Sequence, residues 1–199
     1  MKRLCILLCT LFVAIGCSNE EDILPKQQEQ IVAFLKGSHS PRLISEQELK
    51  ESLEPKPAYF TAAGNTAYRY ISTQYNPDRE TRTPVVVGSK LSITFRAYLF
   101  NNKMPSTLDI YYTNDELMKE ELIKAGLTLG FWPFGQPFEI TLGQTDIIKG
   151  LEVSLEGCRE GDHVELYMTY KMAYGKDFMY NLPKESPVVW LFTIDKVEK

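Results

Sequence analysis

Histidine is nearly absent from this sequence. The 199 residues hold two, His39 and His163, far apart in the chain. Cysteine is scarce beyond the first 17 residues, which carry three of the four. No His/Cys metal cluster can be assembled from such a set. Cys158, with no histidine near it in sequence, reads as a small packed side chain rather than a nucleophile. Excess positive charge is also missing: 22 Lys and Arg stand against 26 Asp and Glu, and no basic block occurs. That excludes phosphate-backbone binding, so no nucleic-acid partner is expected. What remains is an ordinary globular composition, 44% hydrophobic and 24% charged, which rules out a wholly disordered or fibrous chain. The length suits one domain plus extensions.

The first extension reads as an address. Lys2 and Arg3 precede an apolar stretch, Leu4 to Ile15, too short to span a bilayer comfortably and of the length of a signal-peptide core. It runs into Ala14-Ile15-Gly16-Cys17, which resembles a bacterial lipobox. The resemblance implies removal of residues 1–16, lipidation of Cys17, and attachment through that lipid to the outer membrane of a Gram-negative cell envelope, on its periplasmic or its surface face. Ser18-Asn19-Glu20-Glu21-Asp22 then serves as a solvated tether or as a surface-export signal. With Cys17 lipidated, Cys158 has no disulfide partner.

Residues 17–58 read as a lipid anchor and spacer with short helices. One is expected over Gln27–Lys36, with Ile31, Val32, Phe34 and Leu35 apolar and Gly37 as the stop. A second opens at the capping-box pattern Ser45-Glu46-Gln47-Glu48 and ends before Pro55. Residues 59–199 carry the domain, with an insertion at about 101–136. Strands are expected over Tyr68–Ser72, Leu91–Tyr98, Phe138–Leu142, His163–Tyr170 and Val188–Val197, the second and fourth from strict alternation. Asn101-Asn102 fits a hairpin turn. Asn114 is placed to cap a helix over 115–125, and a second helix is expected over Asp146–Leu155 with Ile147, Ile148, Leu151 and Leu155 on one face. Five strands around one helix of the main body make an α+β fold.

Several segments together resemble the FKBP-type peptidyl-prolyl cis–trans isomerases. Pro137-Phe138-Glu139-Ile140-Thr141-Leu142-Gly143, followed by Asp146-Ile147-Ile148-Lys149-Gly150, is similar to that family's Phe-x-Phe/Ile-x-Leu-Gly-x-x-x-Val-Ile-x-Gly signature. Gly157-Cys158-Arg159-Glu160-Gly161, Ala173-Tyr174-Gly175, Leu182-Pro183 and the strand Gly88–Phe95 match further family segments in order. The resemblance spans about 68–199. It implies a bent antiparallel β-sheet wrapped over a short helix. It also implies a cofactor-free, metal-free isomerase acting on proline-containing unfolded or exported polypeptides. Tyr174, Ile148 and Phe138 would be the catalytic set: Tyr174 offering its hydroxyl, Ile148 its backbone N–H, Phe138 a wall. Phe95, Tyr111, Asp146, Ile147, Leu151, Leu182 and Trp190 would complete substrate binding. Leu151 stands where the family carries Trp, Asp146 where it carries Glu, and Phe95 where it carries Tyr. The family's aromatic-Asp pair falls either on Tyr111-Tyr112 or on Leu108-Asp109. The departures keep a second reading open, a catalytically weak chaperone or partner-binding lipoprotein. Phe131-Trp132-Pro133-Phe134 either packs the inserted helix onto the sheet or forms an apolar lip.

Overall fold

The computed structural model describes residues 20–44, 48, 51, 60–62 and 65–198. The signal segment 1–16, Cys17 and nearly all of the helix expected after Ser45 lie outside the described residues. Among the described residues seven strands, β1 (Phe60–Ala62), β2 (Ala67–Ile71), β3 (Lys90–Leu99), β4 (Ile110–Thr113), β5 (Phe138–Thr141), β6 (His163–Met168) and β7 (Val188–Glu198), form one antiparallel sheet. The order is β1-β2-β6-β7-β3-β4, with β5 also on β3. This is the α+β architecture expected, with β1 and β4 added to the five strands foreseen.

Alternation along the strands divides the side chains between two cores. Leu91, Ile93, Phe95 and Ala97 of β3, with Val188, Trp190, Phe192 and Ile194 of β7, line one face. Leu151 and Leu155 of a helix over Lys149–Leu155 fill that core. Gly150 is required there. A Cβ at this position would stand 2.1 Å from Met168 Sδ and 2.9 Å from the Met172 carbonyl. Arg69, also on this face, donates to the Ser154 and Glu156 carbonyls at the end of the helix, both at 2.7 Å.

Tyr68, Tyr98, Phe100, Ile110, Tyr167 and Val189 form the opposite face, covered by two further helices. The first, α1, runs Glu20–Gly37 and presents Ile31, Phe34 and Leu35. The helix expected in a spacer is therefore longer than foreseen and built into the fold. Its apolar residues recur at i, i+3 and i+4, which is one face of a helix seeking a surface. The second, α2 (Lys119–Lys124), contributes Leu122; the Lys149–Leu155 helix is α3.

Three local expectations are corrected. The helix at 115–125 is a 3₁₀ turn at Glu116–Met118 running into α2, and its cap is Asp115, whose side chain accepts from the Leu117 N–H. Asn114 is taken up elsewhere, as described below. Helix α3 begins at Lys149 rather than Asp146, because Ile148 is extended at ψ 139°. Asn101-Asn102 does not close a tight hairpin: β3 ends at Leu99 and β4 starts at Ile110, with a 3₁₀ turn at Thr107–Asp109 between them.

The turn before β6 is tied down by a buried pair. Arg79 donates to both Asp162 oxygens, at 2.7 Å for its Nη2, and Asp162 also accepts from Thr73 Oγ1 and the Arg159 N–H. Both charges are almost fully enclosed, at 4% and 0% exposure, so each depends on the other for compensation.

Candidate active site

One edge of β3 is shared. Lys90–Ile93 pair with β5 and Arg96–Tyr98 with β4, leaving a gap opposite Thr94 and Phe95. Side chains from the end of β4 fill it. Asn114 Oδ1 accepts from the Phe95 N–H at 2.7 Å, and its Nδ2 donates to the Ile93 carbonyl at 2.9 Å. Thr113 Oγ1 donates to the Phe95 carbonyl. A carboxamide thus takes the place of a strand's peptide group. Asn114 Nδ2 also donates to the Gln136 carbonyl at 2.9 Å, and the Asn114 carbonyl accepts from the Gly135 N–H. The returning end of the insertion is thereby stitched beside Phe95.

Around that seam lies a cavity of about 330 Å³ between β3, β7, α3 and the loops that flank them. Phe95 and Trp190 form one wall, stacked at 4.6 Å with 14° between ring planes. Phe138 meets Phe95 edge-on at 5.8 Å. Leu151 of α3 is fully buried at the bottom. The indole that the resemblance places on the helix is thus supplied here across the cavity, from β7. Ile147 and Ile148 line the approach, both half-buried, and Asp146 is the single charged side chain among the described lining residues. Because Ile148 precedes the first turn of α3, its N–H has no hydrogen-bond partner among the described residues.

Tyr174 follows the 3₁₀ turn at Tyr170–Met172 and reaches the cavity. Its hydroxyl is oriented from behind. Trp190 Nε1–H donates to Tyr111 Oη at 2.9 Å, and the Tyr111 hydroxyl donates to Tyr174 Oη at 3.3 Å. The Tyr174 proton is left to donate toward the cavity. Burial pushes the Tyr174 hydroxyl up to about 12, so it remains a neutral donor at neutral pH. Burial raises Tyr111 well above the ordinary tyrosine range.

Of the two segments left open at 108–114, only Tyr111-Tyr112 is brought to the cavity. The β3–β4 ladder pairs Ala97 with Tyr112 and Tyr98 with Ile110, so Tyr111 is the extra residue of a bulge. The bulge turns both Tyr111 and Tyr112 toward the α3 side of the sheet. Tyr112 lines the cavity and stacks on Tyr180 at 4.6 Å, and burial raises its pKa. Asp109 accepts from the Ser106 N–H at 3.0 Å and does not line the cavity; Leu108 is exposed.

Of the residues nominated from sequence, Phe95, Phe138, Asp146, Ile147, Ile148, Leu151, Tyr174 and Trp190 surround one cavity. Tyr111 stands behind it as the link from Trp190 to Tyr174. Leu182 is buried in the adjoining core and does not line it: the chain reverses in a tight turn, Leu182 N–H donating to the Met179 carbonyl at 2.9 Å, that leaves Met179 at the cavity. Sequence reasoning left out Pro133, Gln136, Pro137 and Met179 as liners, and offered Tyr112 only as one of two positions for the family's acid. The aromatic Phe131–Phe134 run divides its work. Trp132 and Phe134 pack against the α1 side of the sheet, Pro133 reaches the cavity, and Phe131 is exposed.

Residues 118–194 match the family model described as FKBP-type peptidyl-prolyl cis-trans isomerase. Over this span the chain is similar to that family. The match takes in β5, α3, β6 and most of β7, hence every catalytic candidate. Phe95, Tyr111, Tyr112, Asn114 and the whole of α1 lie upstream of it.

Proposed function

We propose that this protein is a peptidyl-prolyl cis–trans isomerase that assists the folding of exported proteins. An X–Pro bond isomerises over a barrier near 20 kcal/mol that comes from amide resonance. Resonance separates charge, so a planar amide loses more than a twisted one on entering an apolar cavity. Binding the twisted amide better than the planar one lowers the barrier with no covalent step. Phe95, Phe138, Leu151 and Trp190 supply the apolar surface. The Ile148 N–H and the Tyr174 hydroxyl are the two donors positioned for substrate carbonyls. The observation that carries this reading is the Trp190–Tyr111–Tyr174 chain, which leaves a proton donor facing an open apolar cavity rather than a filled core.

The location is part of the proposal and rests on residues 1–22. A lipid on Cys17 would hold the catalyst at the envelope membrane, where exported chains emerge unfolded. One observation favours the alternative, a weakly catalytic chaperone. The cavity presents the Tyr112 phenol, stacked under Tyr180, where the family resemblance calls for a carboxylate. Refolding of a protein whose slow phase is limited by an X–Pro bond separates the two readings. The isomerase reading expects the slow phase to accelerate at catalytic amounts of this chain. An unchanged slow phase, with aggregation suppressed only at stoichiometric amounts, would favour the chaperone.

A further inference from the structure

Helix α1 lies on the face of the sheet opposite the cavity, yet one of its side chains reaches the cavity's framework. Gln27 is 6% exposed. Its Oε1 accepts from the Tyr170 N–H at 2.8 Å, and its Nε2 donates to the Glu185 carbonyl at 2.7 Å. Those two residues are the stems of a single loop. Tyr170 opens the turn leading to Tyr174, its carbonyl accepting from the Ala173 and Gly175 N–H groups. Glu185 closes the loop, its N–H donating to the Gly175 carbonyl at 2.9 Å. Between the stems sit Tyr174 and Met179, which line the cavity, and Tyr180, which stacks on Tyr112.

A carboxamide suits this place because the two stems present opposite groups, one donor and one acceptor. A carboxylate could hold only the Tyr170 stem, and an ammonium only the Glu185 stem. The Glu185 stem also needs holding, since its backbone is left-handed at φ 55° in a residue that is not glycine.

We propose that Gln27 is a positioning residue for the reaction, clamping both stems of the 170–185 loop so that Tyr174 keeps its place over the cavity. The functional part of this inference rests on the isomerase reading above; the clamp itself does not. Gln27→Met keeps the side chain's volume and removes both bonds. Gln27→Glu keeps the Tyr170 bond alone.

Two measurements on the purified full chain test the proposal. In native-state hydrogen exchange, Gln27→Met should speed the amides of 174–185 by about tenfold, the scale of one or two lost hydrogen bonds, with β3 and β7 unchanged. Gln27→Glu should loosen the Glu185 side only. Unchanged exchange in the loop, or a uniform rise across the sheet, overturns the clamp whether or not the chain is an isomerase. In peptide cis–trans exchange, Gln27→Met should lower kcat/KM about fivefold in the native background and less than twofold beside Tyr174→Phe, because residues that act through one group do not add. Equal losses in both backgrounds overturn positioning through Tyr174. An inactive native chain refutes the isomerase reading and leaves the exchange data to judge the clamp.

Discussion

Replacing Asn114 by alanine should cost far more than an ordinary surface substitution. Asn114 is 3% exposed and bridges three backbone groups on two segments. Its loss strands the Phe95 N–H and the Ile93 carbonyl in the gap between β4 and β5. Each buried group left without a partner costs about 1–3 kcal/mol. The Gln136 carbonyl, on an exposed residue, can turn to water, so its bond contributes little to the total. The expected loss is about 2–6 kcal/mol, a large share of the ~5–15 kcal/mol that holds a typical domain together. Asn114→Asp should be no milder. It retains the acceptor for Phe95, loses both donors and sets a carboxylate against the Ile93 carbonyl. Urea unfolding at neutral pH measures the loss as a lower midpoint at unchanged slope. If Asn114→Ala unfolds within about 0.5 kcal/mol of the native chain, the carboxamide is not the strand substitute described here.

Other consequences follow from the same contacts. His39 is buried, and burial alone would lower its pKa; the hydrogen bond to Glu165, the Pro41 carbonyl and the Glu165 charge outweigh that and raise it. A folded-state pKa above the unfolded value stabilises the protein below about pH 6.5, and that stability fades as pH rises through the folded value. The melting temperature of the native chain should therefore fall between pH 6 and 8 more steeply than that of His39→Gln; parallel slopes would refute the assignment. Gly150→Ala should destabilise by about 1–3 kcal/mol or more, since the Met168 side chain can yield but the Met172 carbonyl cannot easily do so. An unchanged urea midpoint would show that α3 is free to shift. With Tyr174 pushed up to about 12, the isomerisation rate should be flat from pH 6 to 9. An inflection in that range that is absent from Tyr174→Phe would contradict the neutral-donor role.

The parts of the site that the sequence made legible are those set by period and spacing. Leu91, Ile93 and Phe95 alternate, and a strand that alternates has one face for a core. The segment 137–150 carries its wall, its helix entrance and its close-packing glycine within one stretch, and it supplies four of the eight nominated residues that meet at the cavity: Phe138, Asp146, Ile147 and Ile148. What was illegible depends on irregularity or on distance. A bulge at Tyr111 breaks the alternation that would otherwise send Tyr111 and Tyr112 to opposite faces, so no regular period could choose between Tyr111-Tyr112 and Leu108-Asp109. Asn114 followed by two acids has the composition of a helix cap. Only the gap in the β3 ladder reveals the use to which it is put. Gln27 lies 143 residues from Tyr170 and 158 from Glu185, and nothing local announces the pairing.

The most direct test of the central claim is two-dimensional NMR exchange on an Ala-Leu-Pro-Phe-type peptide, with the folded native chain and Tyr174→Phe compared at equal concentration. The account predicts that the native chain accelerates cis–trans exchange and that removing the Tyr174 hydroxyl slows it about fivefold to tenfold, the worth of one hydrogen bond, with peptide affinity nearly intact. Exchange no faster than in free peptide across several sequences, or a Tyr174→Phe chain as fast as the native one, would contradict it.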